Sequence, residues 1–384
     1  MVILFWAIFS LLAWHFVGYG LFIGLLALLH PRTVAADETP DYPPITIIIT
    51  AHNEEKRIAK RIENCLAIDY PSDRREVIVC SDASTDRTVS ICRRYEDRAV
   101  RVIDSPIRNK TRTQEEGIRI ARGEILFFTD ANTRYESNCI KRMVRHYEDP
   151  LVACVGGMLS SRSFSKQGLG RAQGLYWRWE RLLRHWQSRI GVLMKTSGAN
   201  MSIRRSIYRP IADDVDIDQA AGPMTFLQGY RVVDEPRAIA HEEFPTEFKE
   251  EFTARRRFTV RAMTALLRYP RLLNPFRHPW AAFHLSSYRV LRYSSPFLLL
   301  MLLACSVTVR DRGALYLAAM WAQAAFYGTA LIGGLLRLTI GKAWIADWPL
   351  AFCWIYTGIS VGVVEFLLGR RIRSYDPTDS RADP

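Results

Sequence analysis

From Val2 to Leu29 the chain is almost wholly apolar, broken only by His15, with Trp6, Trp14 and Tyr19 scattered along it. Such a run leaves few choices of structure. In hydrocarbon every backbone N–H and C=O must be paired within the segment, so it has to be a helix. It is long enough to cross a bilayer and too long for an ordinary cleaved secretory core, and no Lys or Arg precedes it. Residues 1–30 therefore read as a retained anchor, although TVAAD just beyond also fits a weak cleavage site. Three further apolar segments, residues 294–309, 313–336 and 343–369, predict about three C-terminal crossings. The first is short unless residues 285–293 extend it. The last contains Asp347, Pro349 and Glu365, which predicts a bent or partly interfacial helix.

The formal net charge of +13 is carried mostly between these apolar ends. A basic excess serves nucleic acid, an anionic membrane face or a phosphorylated substrate. No nucleic-acid motif accompanies it and the arginines cluster beside apolar segments, which favours the last two and excludes nucleic acid as a partner. The cysteines (65, 80, 92, 139, 154, 305 and 353) show neither close pairing nor metal spacing, the pattern of reduced thiols in a cytosolic domain. The histidines form no ligand spacing either.

The middle of the chain alternates short β-branched runs with helical periodicity. ITIIIT is followed by Ile58, Ile62 and Leu66 at a spacing of four, then come EVIVC, VRVID, a helical TQEEGIRIARG and the run ending in FFTD. Strands of this kind alternating with helices predict a mostly parallel sheet covered on both faces, with ligands at the carboxyl ends of its strands. Asp82 and Asp130 fall there. A carboxylate at that edge needs compensation. A divalent cation on a diphosphate would supply it; the alternative is that Asp130 caps a helix or closes an Asx turn.

PPITIIITAHNEEKRIAKRIENCLAIDYP, VIVCSDASTDRT and RNKTRTQEEGIRIARGEILFFTDANT, in that order, resemble the membrane-integrated branch of glycosyltransferase family 2, the group of cellulose, hyaluronan and poly-N-acetylglucosamine synthases. The resemblance implies an α/β fold: a GT-A-type nucleotide-sugar-binding domain, Rossmann-like, with a mostly parallel sheet, flanked by transmembrane helices. It implies a UDP-sugar donor and Mg2+ or Mn2+. Ala51, Asn53 and Glu54 (or Glu55) would lie near the uridine, Asp82 would contact the nucleoside with Asp86 closing its turn, and Lys110 would face the sugar nucleotide. Asp130 and Asn132 would hold the metal, Asn132 standing where the family has a second acid.

The resemblance continues downstream. SGAN places Gly198, Ala199 and Asn200 below the sugar pocket. QGYRVVDEPRA matches the strand after the catalytic helix, and eleven residues before Gly229 the family's base aspartate falls on Asp218. Ile217 departs from the usual acid, and Asp214 and Asp216 are the alternatives. One base with one metal suits a single inverting displacement, and no second acid placed as a nucleophile is evident. Arg257 and Phe258 match the acceptor-gating Arg-Trp pair, with Ala254 replacing the motif's glutamine.

The expected organisation is an anchor at 1–30, a cytoplasmic GT-A domain at 40–248, amphipathic interfacial helices at 249–293, membrane helices at 294–370 and a polar tail at 371–384. The helix carrying Trp179 and Trp186 either seats the domain on the membrane or packs in a core, and Trp280, Phe283 and Tyr288 form a second aromatic stripe. The basic tail reads as cytoplasmic, yet one crossing before the domain and three after it would place that tail outside. Functionally, the sequence points to a multi-pass enzyme of the cell membrane adding sugar to a polysaccharide or membrane-associated acceptor. The rivals are a single-addition transferase onto a polyprenyl-phosphate or lipid acceptor and a catalytically dead scaffold.

Overall fold

The computed structural model describes residues 1–29, 42–160, 169–242, 248–340 and 346–373. The TVAAD segment and the tail beyond residue 373 lie outside them. Eight strands form one sheet, β1 Ile45–Ala51, β2 Arg75–Asp82, β3 Val100–Ser105, β4 Ile125–Asp130, β5 Arg134–Tyr135, β6 Val152–Ser160, β7 Met201–Arg204 and β8 Arg231–His241, in the order β3-β2-β1-β4-β7-β6-β8-β5. The first four are mutually parallel, as the alternating pattern predicts. The far half is mixed: β7 runs antiparallel to both β4 and β6, and β6 runs parallel to β8. Six strands therefore run one way and only β7 and β5 run against them, so the sheet is mostly parallel as expected, with β7 the antiparallel strand that joins its two halves.

The central strands lack polar alternation because both faces are covered. Ile47, Ile49, Val77, Val79 and Phe127 pack under the helix Ile58–Leu66. Ile48, Ile78, Leu126 and Phe128 pack on the opposite face with Met201, Ile217 and Met224. The second layer is what fixes the helix Ile217–Leu227 against the sheet. Its Gly222 is needed for that approach: a Cβ there would lie 2.2 Å from the Met194 carbonyl oxygen.

Among the described residues four helices are long and apolar enough to cross a membrane: Val2–Leu29, Pro279–Arg312, Ala314–Arg337 and Asp347–Leu367. The second begins well before residue 294, so the expected boundary between interfacial and membrane helices falls inside one continuous helix. Pro349 lies in the first turn of its helix, where a missing N–H costs nothing. Phe5, Ile8 and Leu12 pack on Leu302, Cys305 and Val309.

Trp179 and Trp186 take the packing alternative. From the helix Leu169–Ile190 they pack against the apolar helix Val2–Leu29, where a Cβ at Gly20 would be 2.3 Å from the Trp179 ring and one at Gly24 3.1 Å from Trp186. Phe283 and Tyr288 join the same cluster with Tyr19 and Ile23, while Trp280 stays exposed. The basic helix Phe248–Arg268 packs along Asp347–Leu367, its backbone meeting the small faces of Gly358 and Gly362. Arg256 donates two bonds to Glu365, at 2.7 and 2.5 Å.

Candidate active site

Two turns at the carboxyl edge of the sheet are laced together. Asn53 and Ala83 both take left-handed backbone angles. Asn53 Oδ1 accepts from the Thr85 N–H at 2.8 Å, the Glu54 N–H donates to Thr88 Oγ1 at 2.8 Å, and the Glu55 N–H donates to Asp86 at 3.1 Å. His52 Nδ1 lies 2.5 Å from the Asp82 carbonyl oxygen. Ala51 ends β1, buried. Asn53 and buried Glu54 thus hold the turn in shape, a role sequence reasoning did not assign them.

Asp82 and Asp130 are the last residues of β2 and β4. Burial pushes the Asp82 carboxyl above its ordinary range, opposed by the Asn109 N–H and by Thr113 Oγ1, which donates at 3.2 Å. Lys110 opens the helix Lys110–Ile120, capped by Asn109, whose Oδ1 accepts from the Arg112 N–H at 3.0 Å. Lys110 Nζ donates to Asp130 Oδ1 at 2.5 Å, and its charge also favours the ionised forms of Asp82 and Asp218. One ammonium therefore serves three acids drawn from β2, β4 and the helix Ile217–Leu227.

Asp218 stands in that helix's first turn. Burial raises its carboxyl pKa; Lys195 opposes the rise, Asp216 adds to it and Lys110 opposes it. Burial likewise lowers the pKa of the Lys195 ammonium, with Asp218 opposing. Asp218 is half-buried and Lys195 exposed, and the charge of each acts on the other. Gly198 lies beside Asp218: a Cβ there would sit 3.7 Å from Asp218 Cβ, in ordinary van der Waals contact.

The alternatives Asp214 and Asp216 are engaged elsewhere. Arg268 bonds Asp214 at 2.8 Å and Arg261 bonds Asp216 at 2.6 Å, while Arg112 bonds Asp213 at 3.0 Å. Asp218 has no hydrogen-bond or ion-pair partner among the described residues. Asn109 Nδ2 donates to the Asp213 carbonyl at 3.0 Å and to the Arg373 carbonyl at 2.9 Å, and Arg261 donates to the Ile372 carbonyl at 2.8 Å. The end of the described chain is thus fastened beside the site.

The expected acceptor residues separate. Gly198 is in place beside Asp218 and Ala199 is buried next to it. Asn200 is a correction. It is fully buried, and its Nδ2 is spent on the carbonyls of Met158 and Ala238, at 3.1 and 2.9 Å. It joins β6 to β8 and has no polar group left to contact an acceptor. Phe258 is exposed, with the Arg257 guanidinium 5.2 Å from its ring centroid.

For a metal, Asn132 Nδ2 donates to Glu242 Oε1 at 3.0 Å, which leaves its Oδ1 as the oxygen available to a cation. Among the described residues no three His, Cys, Asp or Glu side chains converge. Asp130 and Asn132 fit a hard cation that draws its remaining oxygens from a bound diphosphate. Glu242, Lys195 and the arginines that pair with the 212–218 stretch (Arg112, Arg261 and Arg268) escaped sequence reasoning; the position of Lys195 three residues before Gly198 was the one local signal.

Against known families, residues 46–211 match glycosyl transferase family 2. The chain is 29% identical over 128 residues, 31% of its length and 40% of the relative's, to a dolichyl N-acetyl-alpha-D-glucosaminyl phosphate 3-beta-D-2,3-diacetamido-2,3-dideoxy-beta-D-glucuronosyltransferase of Methanococcus voltae. It is 28% identical over 158 residues, 38% of its length and 33% of the relative's, to a beta-monoglucosyldiacylglycerol synthase of Synechocystis sp.. The chain spans about half the length or less of the curated relatives it matches. Among solved structures it shares its fold with a mannosyltransferase from Pyrobaculum calidifontis in complex with GDP-Man and Mn2+, with a TM-score of 0.68, 22% identity and coverage of 96% of this chain and 99% of that one.

Proposed function

Residues 46–211 are a glycosyl transferase family 2 domain, and from that premise we propose that the chain is a membrane-bound inverting transferase that moves a sugar from a UDP-sugar to a saccharide or membrane-associated acceptor. The observation that carries the reading is Lys110, which pairs with Asp130 while its charge acts on Asp218. A donor-side acid and the acid proposed as base thus share one neighbourhood.

The donor's nucleoside lies against the laced turns and Asp82. Lys110 turns from Asp130 to the diphosphate, a point charge suited to phosphate oxygens. Mg2+ or Mn2+, held by Asp130 and Asn132 together with the diphosphate, would offset charge on the departing group. Asp218 takes the proton from the acceptor hydroxyl as that oxygen attacks the anomeric carbon. A carboxyl raised by burial is a stronger base than an ordinary one. Phe258 supplies an apolar face for the acceptor sugar and Arg257 a donor beside it. The domain lies on the cytoplasmic side, where sugar nucleotides are made. GDP-mannose is the second donor reading, favoured by the ligand of the structure that shares this fold.

The test incubates membranes containing the protein with labelled UDP- and GDP-sugars, with and without Mn2+, and sizes the products. Metal-dependent transfer from a UDP-sugar is the expected result. Transfer from GDP-mannose alone selects the second donor, and no transfer from any sugar nucleotide overturns the reading.

A further inference from the structure

Two π-helical turns, Trp14–Gly18 and Leu285–Val290, meet where membrane helices approach the catalytic domain. Each opens its helix by one residue, a distortion that recurs at functional sites. Polar groups gather there. Glu180, on the helix Leu169–Ile190, accepts from Tyr288 and from Arg292, whose guanidinium lies 4.6 Å from the Tyr288 ring centroid. Arg289 is buried and reaches the Met194 carbonyl at 3.4 Å. Lys195, the next residue, has no hydrogen-bond partner among the described residues, and its charge acts on Asp218, Arg289, Arg292 and Glu180.

Three cations, Lys195, Arg289 and Arg292, thus confront two carboxylates, Glu180 and Asp218, where the middle of the helix Pro279–Arg312, long enough to cross the bilayer, meets the segment that carries Met194 and Lys195. A neutral glycan gives no reason to gather a surplus cation beside the buried Arg289, whereas an anionic group would complete the balance. We propose that Lys195, Arg289 and Arg292 form a seat for the phosphate of a membrane-anchored acceptor, which approaches Asp218 from the bilayer side. The proposal rests on the transferase reading for the word acceptor, but the seat itself is defined by binding. Lys110 is tied to Asp130 and so to the donor; the second cluster belongs to the membrane helix. Recognition then selects lipids whose phosphate lies close to the hydroxyl that Asp218 activates.

The experiment uses the full chain in phosphatidylcholine nanodiscs and measures binding of decyl phosphate, decyl β-glucoside and inorganic phosphate with no sugar nucleotide present. Decyl phosphate should bind at least about tenfold more tightly than the other two, Lys195→Met should lose about that factor, and Lys195→Arg should recover most of it. An unchanged melting temperature in Lys195→Met certifies that the fold is retained. Equal binding of the glucoside, or unchanged decyl phosphate binding in Lys195→Met, overturns the seat. Inorganic phosphate binding as tightly as decyl phosphate overturns the lipid source. Because no transfer is measured, a failure of the transferase reading is seen separately, in the sugar-nucleotide assay.

Discussion

Lys110 Nζ lies 2.5 Å from Asp130 Oδ1, so without donor the proposed metal-binding carboxylate is neutralised by a lysine. Each must exchange partners when a diphosphate and its cation arrive. Asp130→Asn should weaken metal-dependent donor binding by about tenfold, since a charge-assisted contact is lost. Titration calorimetry with and without Mn2+ checks this; an unchanged metal requirement removes Asp130 from the diphosphate site.

Asp218→Asn should reduce transfer by about a hundred- to ten-thousandfold while donor affinity stays within about twofold. The pH profile follows from the raised carboxyl. The ionised base disappears as pH falls through that raised value, so the acid limb of kcat/KM should lie above the ordinary carboxylate range. Wild-type turnover in the variant, or an acid limb at or below that range, removes the assignment.

The 212–218 loop is held by arginines, and Arg261, itself buried, is the tightest of them. Arg261→Met leaves Asp216 without its partner next to Asp218. It should cost ~2 kcal/mol of stability, with kcat falling more than KM rises. Asp216→Asn in the same chain should recover part of the loss. Denaturant melts and steady-state kinetics of the single and double variants test this, and full additivity would dissolve the coupling.

Glu235 is buried, and against that burial His146, at 2.9 Å, and Arg237 bring its pKa from 4.5 down to about 2. A carboxylate depressed in the fold contributes stability above its unfolded pKa and loses it as pH falls through the folded one. Wild type should therefore lose melting temperature between about pH 4.5 and 2. Glu235→Gln should start lower at neutral pH and decline less across that window. Parallel melting curves would contradict this.

Ile372 and Arg373 are hydrogen-bonded to Arg261 and Asn109, so the chain end lies on the domain's side. An even number of crossings must then separate the domain from its tail. We expect Asp347–Leu367, packed along the basic helix Phe248–Arg268, to be the segment that lies at the interface. An impermeant maleimide applied to intact cells should label Asp311→Cys and spare Leu368→Cys. Labelling of both would contradict this.

The half of the fold built from local pattern was legible in the sequence. Unbroken β-branched runs gave the parallel strands, and each run's final aspartate marked Asp82 and Asp130 as edge residues. Apolar length likewise disclosed the membrane helices. What escaped notice depends on partners distant in the chain. Nothing local to ADDVDID says that Asp214 and Asp216 meet arginines some fifty residues later, at Arg268 and Arg261. Asn200 looked available because its neighbours are small, whereas the carbonyls that consume its amide come from β6 and β8. The Lys195 cluster needs three helices brought together and is invisible to any window.

Asn109 is a chemically perishable choice for its position. Its side chain both accepts at the start of one helix and donates to the backbones of Asp213 and Arg373. Deamidation to aspartate would keep the acceptor and abolish both donors. The helix would survive such ageing, but the cord that ties it to the base loop and to the chain's end would be cut.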